Sequence, residues 1–258
     1  MKKFVVLLLA LAMMLAMVAC GEKKTDMVYA VEAGSAGEAA AQEQGRNINS
    51  VGTQANALME VSAGTSDGAV IDLLMAGAMI GEGTSYPDLT YTDKLTTEEY
   101  GIGCRKGSDL ADYINVVLYE TYTDGTMAKL AGEHGISEDV IIAQEECSFS
   151  PAADSDVAYI QDKGVLIVGI TDFAPMDYKN DNGEWTGFDA EMARIVADKL
   201  GVAIEFVEID WDSKIMELDA KSIDVVWNGM TLTDAVLNGM GCTNAYFENA
   251  QVVVVPAK

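Results

Sequence analysis

Downstream of residue 27 the apolar positions fall into short runs that alternate with stretches of helical spacing. That pattern predicts βα layers, not a helical bundle or an all-β sandwich. In the first half, strands are expected at 28–33, 47–51, 69–71, 89–95 and 100–105. Helices are expected at 38–44, 54–63, 72–80, 108–120 and 125–133, the fourth capped by Ser108 with Asp109 in its first turn. The stretch 145–156, with Ser148, Ser150 and Pro151, reads as a linker. The pattern then restarts with a helix at 154–163, a strand at 165–170 and a two-residue hairpin at Asn182-Gly183. A helix at 188–200 stopped by Gly201 follows, then a strand at 203–209, a helix at 211–220 and a strand at 223–227. A turn at Asn228-Gly229, a helix opening near Thr233 and an apolar strand at 251–255 complete the chain. No internal repeat is visible.

The start of the chain has a different pattern. Lys2 and Lys3 precede an apolar run from Phe4 to Val18 that is shorter than the roughly 20 residues needed to span a bilayer. Met17-Val18-Ala19-Cys20-Gly21 resembles the bacterial lipobox, with Met where Leu is usual. Residues 1–19 are therefore expected to be a lipoprotein signal peptide, Cys20 the lipidated residue and 20–26 a tether. Loss of the two leader lysines takes the formal charge of −25 to −27. With three arginines (Arg46, Arg105, Arg194) among 41 acidic residues, the chain lacks the cationic cluster that phosphate binding requires, and nucleic acid is not an expected partner. About 230 mature residues can bury one large core or two lobes. Export permits one disulfide among Cys104, Cys147 and Cys242: Cys104 with Cys242 is one reading and three free thiols the other.

Residues 160–202 (IQDKGVLIVGITDFAPMDYKNDNGEWTGFDAEMARIVADKLGV) resemble the opening of the polar amino-acid solute-binding proteins of ABC importers, and 211–233 (WDSKIMELDAKSIDVVWNGMTLT) the stretch that follows. YFENAQVVVVPAK at 246–258 resembles that family's first interlobe crossover. VYAVEAGSAGEAAAQE at 28–43, SDGAVIDLLMA at 66–76 and EEYGIGCRKGSDLADYINVVL at 98–118 resemble its second lobe and return crossover. The order is inverted, so the resemblance implies a circularly permuted chain. The implied fold is α/β and two-lobed, periplasmic-binding-protein-like, each lobe a mostly parallel sheet flanked by helices and the two joined by two crossover strands. In this frame 27–98 is lobe 2, and 99–144 the return crossover with helices packing on lobe 1. Residues 145–156 are the linker, 157–250 lobe 1 and 251–258 a crossover strand.

The resemblance implies an extracytoplasmic receptor, anchored to the cell membrane, that closes on a polar amino acid or related small amine for an ABC permease. It is expected to be a monomer, without cofactor or metal and without enzymatic activity. The Gly34–Gly37 loop offers backbone N–H groups at a helix start, a suitable anion site, so Ser35 and Ala36 are expected to hold substrate carboxylate. Asp72 is expected at the ammonium group, although a lone Asp there also reads as a helix cap. Gly229 and Thr231 would contribute carbonyl and hydroxyl contacts, and Phe173 and Trp211 an apolar wall or, equally, core. One departure stands out: the family motif has Thr, two residues, then a carboxylate-binding Arg, where this chain has Thr233-Asp234-Ala235-Val236. Losing such a bidentate contact weakens binding of a standard α-amino acid or points to a ligand without that carboxylate.

A degenerate or sensory module on the same fold and a dehydratase-like enzyme are the rival readings. Gly64-Thr65-Ser66-Asp67-Gly68 fits G-x-S-x-G, but a helix precedes and a strand follows, the reverse of a nucleophile elbow. The sole histidine, His134, reads as a surface residue at a helix end. The hairpin acids at 177–184 miss calcium-loop spacing.

Overall fold

The computed structural model describes residues 27–152 and 155–258. The expected leader, Cys20 and tether lie outside the described residues.

Two sheets organise these residues. The first has the order β2-β1-β3-β13-β4, built from β1 (Val28–Glu32), β2 (Asn47–Val51), β3 (Gly68–Asp72), β4 (Leu89–Lys94) and β13 (Gln251–Pro256). β1 pairs in parallel with β2 and β3, while β13 runs antiparallel between β3 and β4. Helix α1 (Ala36–Glu43) packs Ala41 with Val31, Val70 and Val253 on one face. Helix α2 (Gln54–Ser62) places Ala57, Leu58 and Val61 with Ala30, Ala69 and Ile71 on the other. With both faces covered, β3 is buried along its length, its Ala69-Val70-Ile71 run closed by Asp72. A short helix, α3 (Leu73–Met79), follows it.

The second sheet runs β11-β5-β10-β6-β9, with β12 also on β5. Its strands are β5 (Glu98–Cys104), β6 (Val165–Ile170), β9 (Ala203–Glu208), β10 (Val225–Thr231), β11 (Gly241–Cys242) and β12 (Phe247–Asn249). β6 pairs in parallel with β9 and β10, and β5 is antiparallel to β10. Each sheet thus receives one antiparallel strand from the other: β5 enters directly after β4, and β13 directly after β12. The two crossovers lie side by side, joined by Leu95 N–H to the Gln251 carbonyl at 2.8 Å and Gln251 N–H to Thr96 Oγ1 at 2.8 Å.

Helices α4 (Leu110–Thr123) and α5 (Thr126–Glu133) follow β5, and α6 (Asp156–Lys163) follows the linker. The Asp109 carboxylate makes no cap bond to α4 and instead accepts from Ser155 Oγ (2.5 Å), Ala152 N–H (3.1 Å) and Val157 N–H (3.1 Å). Ser108 is not the N-cap of α4: Asp109 holds that position, and Ser108 Oγ accepts from Leu110 N–H at 3.1 Å. Arg105, at the end of β5, reaches Asp156 (3.0 Å), the Ile223 carbonyl (2.8 Å) and Asp224 (3.3 Å), and Lys163 pairs with the same fully buried Asp224 at 2.6 Å. Helix α7 (Phe188–Leu200) ends at a left-handed Gly201, as expected.

Three local expectations are corrected. The hairpin between β7 (Tyr178–Lys179) and β8 (Trp185–Thr186) has a three-residue loop: Asn180 N–H bonds the Glu184 carbonyl, Asn180 Oδ1 gathers the Asn182 and Glu184 N–H groups, and Gly183 takes the left-handed position. The helix expected at 211–220 is a 3-10 turn over Trp211–Ser213 followed by α8 (Lys214–Asp219). Asn228-Gly229 does not turn the chain. It forms a bulge inside β10, with the register to β5 shifting between Val226 and Met230. Cys104, Cys147 and Cys242 are free thiols; Cys104 and Cys242 lie on neighbouring strands but oppose Gly241 and Gly103 instead of each other.

Candidate functional site

The carboxyl ends of β1, β3 and β10 converge on a cavity of about 360 Å³, the position where open α/β sheets ordinarily take ligands. One wall comes from the first sheet: Glu32, the loop from Gly34 into α1, Gln54 and Asp72. The other comes from the second sheet: Trp211, Lys214, the β10 bulge and α9 (Asp234–Gly239).

The walls touch. Lys214 Nζ donates to the Gly34 carbonyl and to the Trp211 carbonyl, each at 3.0 Å. Gly34 has φ of +70°, and a Cβ placed on it would stand 2.7 Å from the Asp212 Cα. Glycine is thus required twice at this point, by the left-handed backbone and by the approach of the opposite wall.

The start of α1 is a local device visible in sequence. Ser35 is the N-cap, its Oγ accepting from Glu38 N–H at 3.0 Å, and Glu38 reaches back so that its Oε2 accepts from Gly34 N–H at 2.9 Å. This resembles a capping box shifted by one residue. Its consequence is that the chain's own carboxylate already sits at the helix N-terminus.

Asp72, at the N-cap position of α3, makes no cap bond there. Its carboxylate is the hub of a buried network. It accepts from Tyr100 Oη (2.6 Å), Gln54 Nε2, Asn249 Nδ2 and Gln251 Nε2 (3.0 Å). Glu98 joins from the crossover, accepting from Asn249, Gln251 and Thr231 Oγ1 at 2.7–2.9 Å. Burial and then Glu98 raise the Asp72 pKa to about 7, against the lowering effect of Tyr100, Gln54 and Asn249. Burial and then Asp72 raise Glu32 to about 8, with Lys214 and Gln54 opposing. Lys214 is itself lowered by burial, with Glu32 and Asp212 opposing.

The bulge is held from below. Gly229 N–H donates to Asp189 Oδ2 at 2.6 Å, and Tyr246 Oη donates to the same carboxylate. Asn228 bonds Thr171 through both ends of its amide, at 2.8 Å each. Phe173 packs edge-on to Tyr100 at 6.4 Å, and Tyr246, Phe188 and Phe247 continue the aromatic column.

Of the residues singled out from the sequence, Ser35, Ala36, Asp72, Trp211, Gly229 and Thr231 line the cavity. Phe173 does not: it is 2% exposed and stands behind Gly229, where a Cβ on the glycine would come within 2.3 Å of its ring. Val236 lines the cavity in the first turn of α9, while Thr233 Oγ1 caps that helix by accepting from Val236 N–H at 3.3 Å. Sequence reasoning missed Glu32, Glu38, Gln54 and Lys214. A signal existed for Glu38 in its spacing from Ser35, and a weaker one for Glu32, a lone acid closing the apolar strand before a glycine loop. Ser66 is buried between α2 and β3, so the G-x-S-x-G segment presents no exposed nucleophile. His134 is half-buried with Nδ1 3.2 Å from Tyr178 Oη, not on the open surface. Among the described residues no cluster of His, Cys, Asp and Glu is arranged to hold a metal ion, and no helix is long and apolar enough to cross a membrane.

Residues 166–258 match the family of bacterial extracellular solute-binding proteins, family 3. The L-cystine-binding protein TcyJ of Escherichia coli (strain K12) is 37% identical over 76 residues, 29% of each chain. A probable amino-acid ABC transporter-binding protein of Haemophilus influenzae is 33% identical over 107 residues, 42% of each. The chain therefore spans well under half the length of these relatives. Among solved structures, an ancestral cationic amino acid solute-binding protein is 39% identical over 33% of this chain and 37% of its own, with a TM-score of 0.32.

Proposed function

From the match of residues 166–258 to the family 3 solute-binding proteins, we propose that the chain is an extracytoplasmic receptor for a polar amino acid or related small amine. It delivers that solute to an ABC permease and stays at the membrane through a lipid on Cys20. The observation that carries this reading is the placement of the cavity. It lies between walls from two sheets that exchange only the strands β5 and β13, and Lys214 bridges to Gly34 across it. A ligand that touches both walls binds the closed arrangement better than an open one and so shifts the population towards closure. The test is a thermal-shift and small-angle scattering screen of amino acids and amines. A compound that raises the melting temperature and contracts the particle supports the receptor; no response from a cooperatively melting protein removes it.

The chain order is, in this reading, a circular permutation of the family's. β13 ends beside the start of β3, and β1 starts on the other side of β3. Val28 and Pro256 are therefore two strands apart at one edge, about 10 Å, and a short linker could join them. A gene that starts at 155, runs to 258 and continues through a glycine-rich linker into 27–152 should give a folded protein with the same ligand response. Aggregation of that relinked chain would count against the permuted order.

A further inference from the structure

We propose that the cavity's ligand is an organic cation without an α-carboxylate, its ammonium group held by Glu32 in the field of Asp72; this rests on the solute-binding reading above. Glu32 closes β1 and Asp72 closes the neighbouring strand β3, so both carboxyl groups arrive at the same wall. Glu32 is only 3% exposed, lines the cavity, and its Oε1 has no hydrogen-bond partner. A carboxyl oxygen withdrawn from water and left unpaired is unfavourable unless a donor arrives. A ligand ammonium is such a donor, and the Asp72 carboxyl, itself held by Gln54, Tyr100, Asn249 and Gln251, adds its field at Glu32.

Several groups that could hold a carboxylate are engaged within the protein. Gly34 N–H is bound by Glu38, Gly229 N–H by Asp189, and Lys214 Nζ by the Gly34 and Trp211 carbonyls. Thr231 Oγ1 donates to Glu98 at 2.9 Å. Glu38 already places a negative charge at the α1 N-terminus, where an incoming carboxylate would meet repulsion. Four carboxyl groups line the cavity, Glu32, Glu38, Asp72 and Asp234, against Lys214 as the one Lys or Arg among its lining residues. Trp211, Ile215, Met230 and Val236 supply apolar wall for a hydrocarbon or aromatic body.

The geometry has a proton-linked consequence. Glu32 is faced by Asp72 from β3 and Lys214 from α8, and Asp72 by Glu98 and Tyr100 from β5. Burial holds Glu32 and Asp72 near pKa 8 and 7, so at neutral pH the empty site retains protons. A bound cation favours the ionised carboxylates, expels protons and binds more tightly as pH rises from about 6 to about 8.

The test is titration calorimetry on the purified chain with matched pairs: agmatine and arginine, cadaverine and lysine, histamine and histidine, phenethylamine and phenylalanine. At least one amine is expected to bind tenfold or more tightly than its parent amino acid. Its apparent enthalpy should differ between phosphate and Tris buffers at pH 7, as proton release requires. Glu32→Gln should weaken that amine at least tenfold and reduce the proton release, with a thermal melt confirming the fold; if the variant does not fold, the wild-type pairs and buffer dependence decide. A parent amino acid that binds as tightly as its amine overturns the proposal and leaves the receptor intact. Amine binding indifferent to Glu32→Gln overturns the assigned site, and no binding by any compound overturns both readings.

Discussion

Replacing Gly34 by alanine isolates the contact between the two cavity walls. The perturbation has two separable parts. The left-handed backbone at φ +70° is unfavourable for any residue with a Cβ by about 1–2 kcal/mol, whether or not ligand is bound. The second part exists only when the walls meet. The added Cβ stands 2.7 Å from the Asp212 Cα and Oδ1, whereas carbon atoms pack best at about 3.5–4.0 Å. Relieving that overlap requires the walls to separate by about 1 Å, which lengthens the 3.0 Å bond from Lys214 Nζ to the Gly34 carbonyl beyond a useful distance. A hydrogen bond from a charged group contributes about 1.5–3 kcal/mol, so ligand affinity should fall by roughly 10- to 150-fold. Urea unfolding measures the first part and calorimetry, on the tightest compound of the amine and amino-acid pairs, the second. A Gly34→Ala protein that loses stability but binds like the wild type would refute the reasoning, because closure would then not need this contact.

Three further outcomes are expected. Arg105→Met leaves the fully buried Asp224 with Lys163 and the Ile167 N–H and releases Asp156, so stability in urea should drop by about 3 kcal/mol; a drop below about 1 kcal/mol would show that these two partners suffice. Asp109→Ala removes the acceptor that ties Ala152, Ser155 and Val157 to the start of α4, and a glutamate-specific protease should then cut at Glu145 or Glu146 in native protein. Glu32 has a folded pKa raised to about 8, so the folded state holds a proton the unfolded chain gives up at about 4.3. Its contribution to stability is present below that unfolded value and is lost as pH rises through the folded one. The melting temperature of ligand-free protein should therefore decline between about pH 5 and 8, and Glu32→Gln should flatten that decline; an unchanged slope would place the titration elsewhere.

Much of the framework was fixed by local patterns in the sequence. The alternation of apolar runs with helical spacing, Gly201 after the last turn of α7, Thr233 ahead of α9 and Ser35 ahead of α1 each act through neighbours a few residues away. Such signals survive without knowledge of the rest of the chain. The expectation that Ser35, Asp72, Trp211 and Thr231 share one site came from the family resemblance, and the structure sets all four on one cavity. What only the tertiary structure decided depends on contacts far apart in sequence. Asn228-Gly229 has turn chemistry, but Asp189, Thr171 and the ring of Phe173 hold it as a bulge within β10. Asp72 reads as a helix cap, yet four side chains from α2 and the crossover strands capture it as a hub. Lys214 and Glu32 read as ordinary charged positions. Their burial exists only because two walls, 180 residues apart along the chain at Gly34 and Lys214, close over them and replace water with a carbonyl for one and with nothing for Glu32 Oε1.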